Sequence, residues 1–277
     1  MLSRASQGNA LAFFVPLCGC STVHLAAPRG LCGEEEECCL DKMIVVRFSE
    51  TRQSRCPTPG VEVDAAGVLD LLSEGSDMYR LYEFASSGNC YKLRLAMAQL
   101  GVPFERVEKD ITRGETRSDD FLAINPNGRI PVLVTPDGRA LPESNAALWY
   151  LAKGSHLMPG DDFEQAQVLQ WMFFEQYNHE PNIATSRYWL HILGEPEKYA
   201  QALREKQQKG HEALAVMERH LQQHTFFVGA CYSIADIALY AYTHVADQGG
   251  FSLQDYPAIR AWLGRVKAQP DYVGMLD

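Results

Sequence analysis

From Tyr79 to Phe84 the chain alternates closely enough for a strand, with Leu81 set between Arg80 and Tyr82. A polar turn, Ala85-Ser86-Ser87-Gly88-Asn89, follows. Leu93, Ala96, Met97 and Leu100 then recur at i, i+3, i+4, i+7, one face of a helix, and Gly101 supplies its stop. After Pro103, Phe104 to Val107 reads as a second short strand. Strand, helix and strand in under thirty residues predict a parallel pair joined by a crossover helix. Further on, Asp119 to Ile124 suits a short helix and Asn125-Pro126-Asn127-Gly128 a loop. Pro136-Asp137-Gly138 is the turn of a hairpin between Val132 to Val134 and Arg139 to Leu141. Ser144 is expected to cap a helix that carries Ala147, Leu148 and Leu151 and stops at Gly154.

Beyond Asp161 the strand pattern vanishes. Helices are predicted over Val168 to Tyr177, Glu197 to Gln223, Ile234 to Val245 and Ala258 to Ala268. In the second of these, Leu203, Gly210, Leu214, Met217 and Leu221 line one face. Ser233-Ile234-Ala235-Asp236 sets an N-cap three residues before a carboxylate, a near relative of the capping box. The expected fold is an α/β domain over 78–158 followed by an all-α domain over 159–277.

The first 77 residues read differently. They show no sustained period, and Pro16, Pro28, Pro57 and Pro59 interrupt them. Six of the eight cysteines lie there, whereas all 12 Tyr and all 4 Trp lie in 78–277. With so little to bury, 1–77 is expected to be a disordered extension. Met78 directly before the first strand makes an upstream start-site artefact one source of it. Arg4 and Ala10 to Cys20 loosely resemble a signal peptide, and Leu17-Cys18-Gly19-Cys20 a lipoprotein cleavage site. The weak basic region favours a chance apolar patch instead. The cysteines form no C-x-x-C pair and have only His24 beside them, so no zinc site is expected.

Charge and length narrow the classes. The net charge of −10 argues against nucleic-acid binding. It divides evenly, with 6 basic against 11 acidic residues before Met78 and 19 against 24 from there on. No apolar run approaches the ~18 residues that span a bilayer, so no membrane partner is expected. The later part keeps only Cys90 and Cys231, a reduced, cytoplasmic pattern.

Three places carry candidate chemistry. Ser87 lies between the first strand and helix, where orphan N–H groups favour an anion and a hydroxyl can donate to one. Ile130-Pro131 enters a strand, a candidate cis peptide that would turn the Ile130 backbone toward a peptide ligand. Glu143-Ser144 starts a helix, where a carboxylate and free N–H groups can grip an α-amino-acid end. Each alone has a commonplace reading as a cap, an edge residue or a helix start. Their order within a βαβ–α–ββα pattern is the informative feature.

Ser86-Ser87-Gly88-Asn89-Cys90-Tyr91-Lys92-Leu93-Arg94, Asn125-Pro126-Asn127-Gly128-Arg129-Ile130-Pro131-Val132-Leu133, Glu143-Ser144 and Ser233-Ile234-Ala235-Asp236 together resemble the glutathione transferase family. The resemblance is to bacterial, serine-type members and spans all of 78–277. It implies a thioredoxin-like N-terminal domain, a helical substrate-binding domain, glutathione as co-substrate, no metal, and a homodimer. In that family the second stretch carries a cis-proline, the Glu-Ser pair holds the γ-glutamyl group, and the last stretch buttresses a core helix. A hydroxyl after the first strand donates to the glutathione sulfur, and Ser87 is the matching residue, with Ser86 as the fallback. Asn89, Arg129, Ile130 and Pro131 would complete the glutathione site, Arg129 through the glycine carboxylate. Thr116 stands where some classes place a His or Gln for that carboxylate, which leaves this contact open.

The resemblance also implies the chemistry. A free thiol titrates near pH 8.5, and lowering that by about two units corresponds to about 2.7 kcal/mol of thiolate stabilisation. One hydroxyl donor to an anion supplies about 1.5–3 kcal/mol and a helix terminus about 0.3–1. The thiolate would attack a small hydrophobic electrophile, a detoxifying conjugation, in a cleft completed by the helical domain. Tyr177 and Tyr188 are the candidates there, although Trp171, Phe174 and Tyr177 are also spaced as a core face. Cys90 falls within the first helical turn and reads as a packing residue; were it reactive, reduction of mixed disulfides would follow. Ser-Ser-Gly-Asn-Cys departs from the Ser-Ser-Cys-Ser of isomerase relatives. His179 and His191 read as surface or cap residues. The rival classes are a thiol–disulfide oxidoreductase and a non-catalytic interaction module of the same fold.

Overall fold

The computed structural model describes residues 78–277. The extension expected over 1–77, with its signal-peptide-like run and six cysteines, lies outside the described residues.

β1 (Tyr79–Glu83) and β2 (Phe104–Glu108) pair in parallel, joined by α1 (Gly88–Gln99). β3 (Val132–Val134) runs antiparallel to β1, and β4 (Ala140–Pro142) antiparallel to β3. The sheet order is β2-β1-β3-β4, with α2 (Asp119–Ile124) and α3 (Ser144–Ala152) completing this thioredoxin-like half. Leu81 and Leu133 face each other across β1 and β3 and are fully buried. The hairpin, the crossover and the stop at Gly101, whose φ is +63°, fall where the pattern predicts them. One detail differs: Glu143, with φ +71°, holds the N-cap position of α3, and Ser144 is its first helical residue. Ser144 therefore does not cap; its hydroxyl is spent on side chains, as shown below.

The helical half comprises α4 (Asp162–Phe174), α5 (Glu180–Arg187), α6 (Ala200–Leu221), α7 (Ile234–Thr243) and α8 (Pro257–Lys267). α4 starts earlier than the pattern predicts because Asp161 caps it through the Glu164 N–H at 3.0 Å. Wide π turns at Glu175–His179 and Tyr188–Ile192 follow α4 and α5. Each breaks the 3.6-residue spacing, which is why α5 left no periodic signal. Gly210 sits on the buried face of α6 because a Cβ there would lie 2.4 Å from the Phe251 ring.

The capping box at α7 is formed as expected, with Ser233 accepting from Ala235 N and Asp236 accepting from Ser233 N. Asp236 also accepts from Trp262 Nε1 at 2.9 Å and Phe227 N at 3.2 Å, tying α7 to α8 and the loop before it. Every residue of α7 is buried. α7 and α3 flank α1, so one helix belonging to the thioredoxin-like half is packed by both halves. The C-terminal tail crosses α1 as well, with Tyr91 Oη donating to Val273 O and Arg94 to Met275 O.

Candidate active site

The turn after β1 is held from several sides. Glu83, fully buried at the end of the strand, pairs with Arg94 at 3.0 Å and with Arg106. Arg94 also donates to Ala85 O at 2.8 Å, and Arg187 of α5 donates to Ser86 O at 2.7 Å. Two guanidiniums thus fix consecutive carbonyls. The next residue, Ser87, caps α1 by accepting from Cys90 N at 3.4 Å.

Ser87 faces a cleft of ≈ 540 Å³ at the junction of the two halves. Asn89, Arg129, Ile130, Pro131, Glu143 and Ser144 line the same cleft, so the sequence-predicted glutathione residues are brought together. Ser86 is not among its walls. The Ile130–Pro131 bond is cis, where the loop pattern placed it. Cys90 is buried, and loss of solvent pushes its thiol up to about 12, so at neutral pH it is an uncharged packing group.

Behind Ser144 lies a buried polar cluster. Lys92, fully buried on α1, pairs with the equally buried Glu175 at 2.9 Å. Its ammonium also donates to Ser144 Oγ at 3.3 Å and Asn145 Oδ1 at 3.2 Å. Ser144 in turn donates to Asn89 Oδ1 at 3.3 Å, and Asn89 Nδ2 donates to Glu180 Oε1 at 3.2 Å. Asn145 Nδ2 reaches Glu175 at 3.0 Å. Burial raises the Glu175 carboxyl above its ordinary range, and the Lys92 charge works against that. The cluster carries the Lys92–Glu175 pair into the wall behind Ser144.

Arg117 and Arg129 also line the cleft. Arg117 donates to Asn127 O at 3.0 Å and lies over Gly128, where a Cβ would meet its guanidinium at 2.3 Å and where φ is +61°. Arg117 thus rests on the loop that carries Arg129, and guanidiniums in a cleft wall suit a carboxylate. Arg117 carried no motif that would have singled it out.

The helical wall departs from expectation. Tyr188 lines the cleft, but Tyr177 does not; its side chain is 85% exposed. The π turn is the reason: it aims Glu175 and His179 at the core and Gln176 at the cleft, leaving Tyr177 outside. His179 is likewise no surface residue. It is fully buried, bonded through Nε2 to Thr243 Oγ1 at 2.8 Å, and burial lowers its pKa to about 3. His191 is exposed as expected. Gln176, Glu180 and Thr185 make this wall polar. Among the described residues no three His, Cys, Asp or Glu side chains gather as a metal site.

Tyr242, near the end of α7, is another cleft residue that the sequence pattern did not single out. Its hydroxyl accepts from Asn89 N at 3.3 Å, and a Cβ on Gly88 would lie 2.6 Å from its ring. A helical-half side chain is therefore seated on the first turn of α1.

Comparison with known proteins is concordant along the chain. Residues 86–153 match the model of the glutathione S-transferase N-terminal domain, and residues 172–270 that of the C-terminal domain. The chain is 50% identical to a glutathione S-transferase from Pseudomonas fluorescens Pf-5. The TM-score is 0.71, covering 72% of this chain and all of that one. It is 28% identical over 200 residues to the disulfide-bond oxidoreductase YfcG of Escherichia coli K12, covering 70% of this chain and 92% of YfcG. The glutathione transferase URE2P8 of Phanerochaete chrysosporium, solved with oxidized glutathione, is 25% identical with a TM-score of 0.64, over 72% of this chain and 93% of that one.

Proposed function

Because this chain belongs to the glutathione S-transferase family, we propose that it binds glutathione in the cleft and activates the sulfur with Ser87 for attack on an electrophile. The observation that carries the reading is Ser87 itself, a hydroxyl at the N-terminus of α1 facing a cleft walled by Glu143, Ser144 and Arg129. Glu143 and Ser144 hold the γ-glutamyl group, the Ile130 backbone pairs with the cysteinyl unit, and Arg129 with Arg117 takes the glycine carboxylate. The Ser87 proton and the α1 terminus stabilise the thiolate. The thiolate then forms a C–S bond as the leaving group departs with its electron pair.

The polar helical wall favours a second reading for the same thiolate. Gln176, Glu180 and Thr185 suit a polar partner such as a peptide disulfide, and YfcG is named a disulfide-bond oxidoreductase. Here the glutathione thiolate attacks one sulfur, a new S–S bond forms and the other sulfur leaves as thiolate. Cys90 takes no part, being buried and protonated. Retention on immobilised glutathione, followed by turnover of an aryl halide and of a small mixed disulfide, tests both readings. A protein that is not retained has no such site; one that is retained but turns over neither is a binding module instead. A homodimer and a cytoplasmic location belong to the same proposal, supported by exposed Tyr150, Phe163 and Phe173 and by the free thiols of Cys90 and Cys231.

Glu143 provides a stability counterpart. Its φ of +71° is costly for a side-chain-bearing residue, of order 1–3 kcal/mol. Glycine relieves this and gives back about 0.5–1 kcal/mol in unfolded-state entropy. Glu143→Gly is expected to melt about 2–4 °C higher while binding glutathione more weakly. Thermal melts paired with calorimetric titration check it; a variant that melts lower shows that the backbone there is unstrained.

A further inference from the structure

The helical half gives the cleft Gln176, Glu180, Ala184, Thr185, Tyr188 and Tyr242, and Glu180 is the charged group among them. The cations of the cleft, Arg117 and Arg129, and its other carboxylate, Glu143, come from the thioredoxin-like half. Those three are the ones given to glutathione. Glu180 is therefore the formal charge that the helical wall presents to a second substrate.

Its carboxylate sits against the reacting end of the cleft. Glu180 Oε1 accepts from Asn89 Nδ2 at 3.2 Å, and Asn89 stands in the first turn of α1, two residues after Ser87. Lys92 Nζ donates to Ser144 Oγ and Ser144 Oγ to Asn89 Oδ1, so the donors run toward Glu180 and its carboxylate ends the chain. That bond takes one of the roughly four acceptor positions of a carboxylate. Glu180 is half-buried, yet among the described residues no Lys, Arg or His pairs with it. Lys92 and Glu175, behind Ser144, are spent on each other. A partly desolvated carboxylate without a counter-charge is a place for a cation.

We propose that Glu180 selects the second substrate by charge, favouring a small electrophile or disulfide that carries an ammonium group beside the atom under attack. The glutathione thiolate adds a second negative charge to the same cleft. A cationic partner is attracted to both and neutralises them as it docks. An anionic partner is repelled by both and finds Arg117 and Arg129 taken by the glycine carboxylate. Glu180 by itself works against the thiolate, and an ammonium on the partner removes that opposition.

This inference rests on glutathione occupying the cleft, and stable S-conjugates test the two separately without any turnover. S-(2-aminoethyl)glutathione, S-propylglutathione and S-(2-carboxyethyl)glutathione place a cation, no charge and an anion at a similar reach from the sulfur. In calorimetric titration at low salt the aminoethyl conjugate should bind about tenfold more tightly than the carboxyethyl one, with the propyl conjugate between them. Glu180→Gln keeps an acceptor for Asn89 and should bring that ratio to within about twofold. Taking the ratio cancels any effect on the glutathione part that the conjugates share. Salt at about 0.5 M is the second measurement, on the parent protein, and should shrink the ratio even if the variant does not accumulate. Equal affinities in the parent overturn the inference and leave the glutathione reading standing. If Glu180→Gln then weakens all three conjugates alike, Glu180 holds the glutamyl ammonium instead. A ratio that survives Glu180→Gln, or that salt does not touch, also overturns it. Failure of all three conjugates to bind overturns the glutathione reading and this inference together.

Discussion

Replacing Ser87 with Ala is expected to raise the pKa of bound glutathione by about one to two units. That figure follows from a hydrogen bond to an anion being worth about 1.5–3 kcal/mol, with about 1.4 kcal/mol to each pH unit. Below the wild-type pKa, kcat/KM falls by the same factor, about 10- to 100-fold. The sign of the pH dependence is fixed by which form reacts. The thiolate is the nucleophile, so the acid limb of the pH–rate profile moves to higher pH, and the loss shrinks as pH rises from the wild-type pKa and vanishes above the new one. Ser87 also caps α1 through Cys90 N, so the variant should lose about 0.5–2 kcal/mol of stability as well. Ser87→Thr separates the two effects from simple misfolding, because it keeps a hydroxyl for both tasks and should restore most of the activity. An unmoved acid limb in Ser87→Ala would remove Ser87 from the mechanism.

How far the site could be read from the sequence depends on how each residue announces itself. Ser87, Ile130-Pro131 and Glu143-Ser144 sit at punctuation points, where strand meets helix or loop meets strand, and the local chain conveys their geometry. The sheet and α1 were legible for the same reason. Lys92 was not. On a helix bracketed by Tyr91 and Leu93 a lysine reads as a solvated charge, and only the arrival of Glu175 from the other half explains its burial. Tyr242 was hidden differently: after Asp236 the run from Ile237 to Tyr242 is so uniformly apolar that no position stands out. Tyr177 was misplaced because a constant 3.6-residue period was carried across Glu175–His179, where the helix widens. Lys92 and Tyr242 share one property: each is placed by a partner in the other half of the molecule.

The Lys92–Glu175 pair should show the largest effect on stability. Both side chains are fully buried, so Glu175→Gln leaves an ammonium away from water with no counter-charge, only the neutral oxygens of Ser144, Asn145 and the new amide beside it. Breaking a buried pair from one side costs about 3–5 kcal/mol, or about 10 °C in Tm for a domain of this size. Lys92→Met should cost less, because the orphaned carboxyl, already pushed upward by burial, can take a proton and become neutral. The double variant Lys92→Met/Glu175→Leu carries no buried charge and is expected to recover most of the lost stability. It should not recover glutathione binding. Lys92 holds Ser144 Oγ, and through it the Asn89 amide, at the end of the cleft assigned to the γ-glutamyl group. Melting curves and calorimetric titration on the same three proteins decide the matter. A double variant that is stable but weak in binding identifies the pair as a device for placing Ser144. One that binds as tightly as the parent would reduce it to a contact between the two halves.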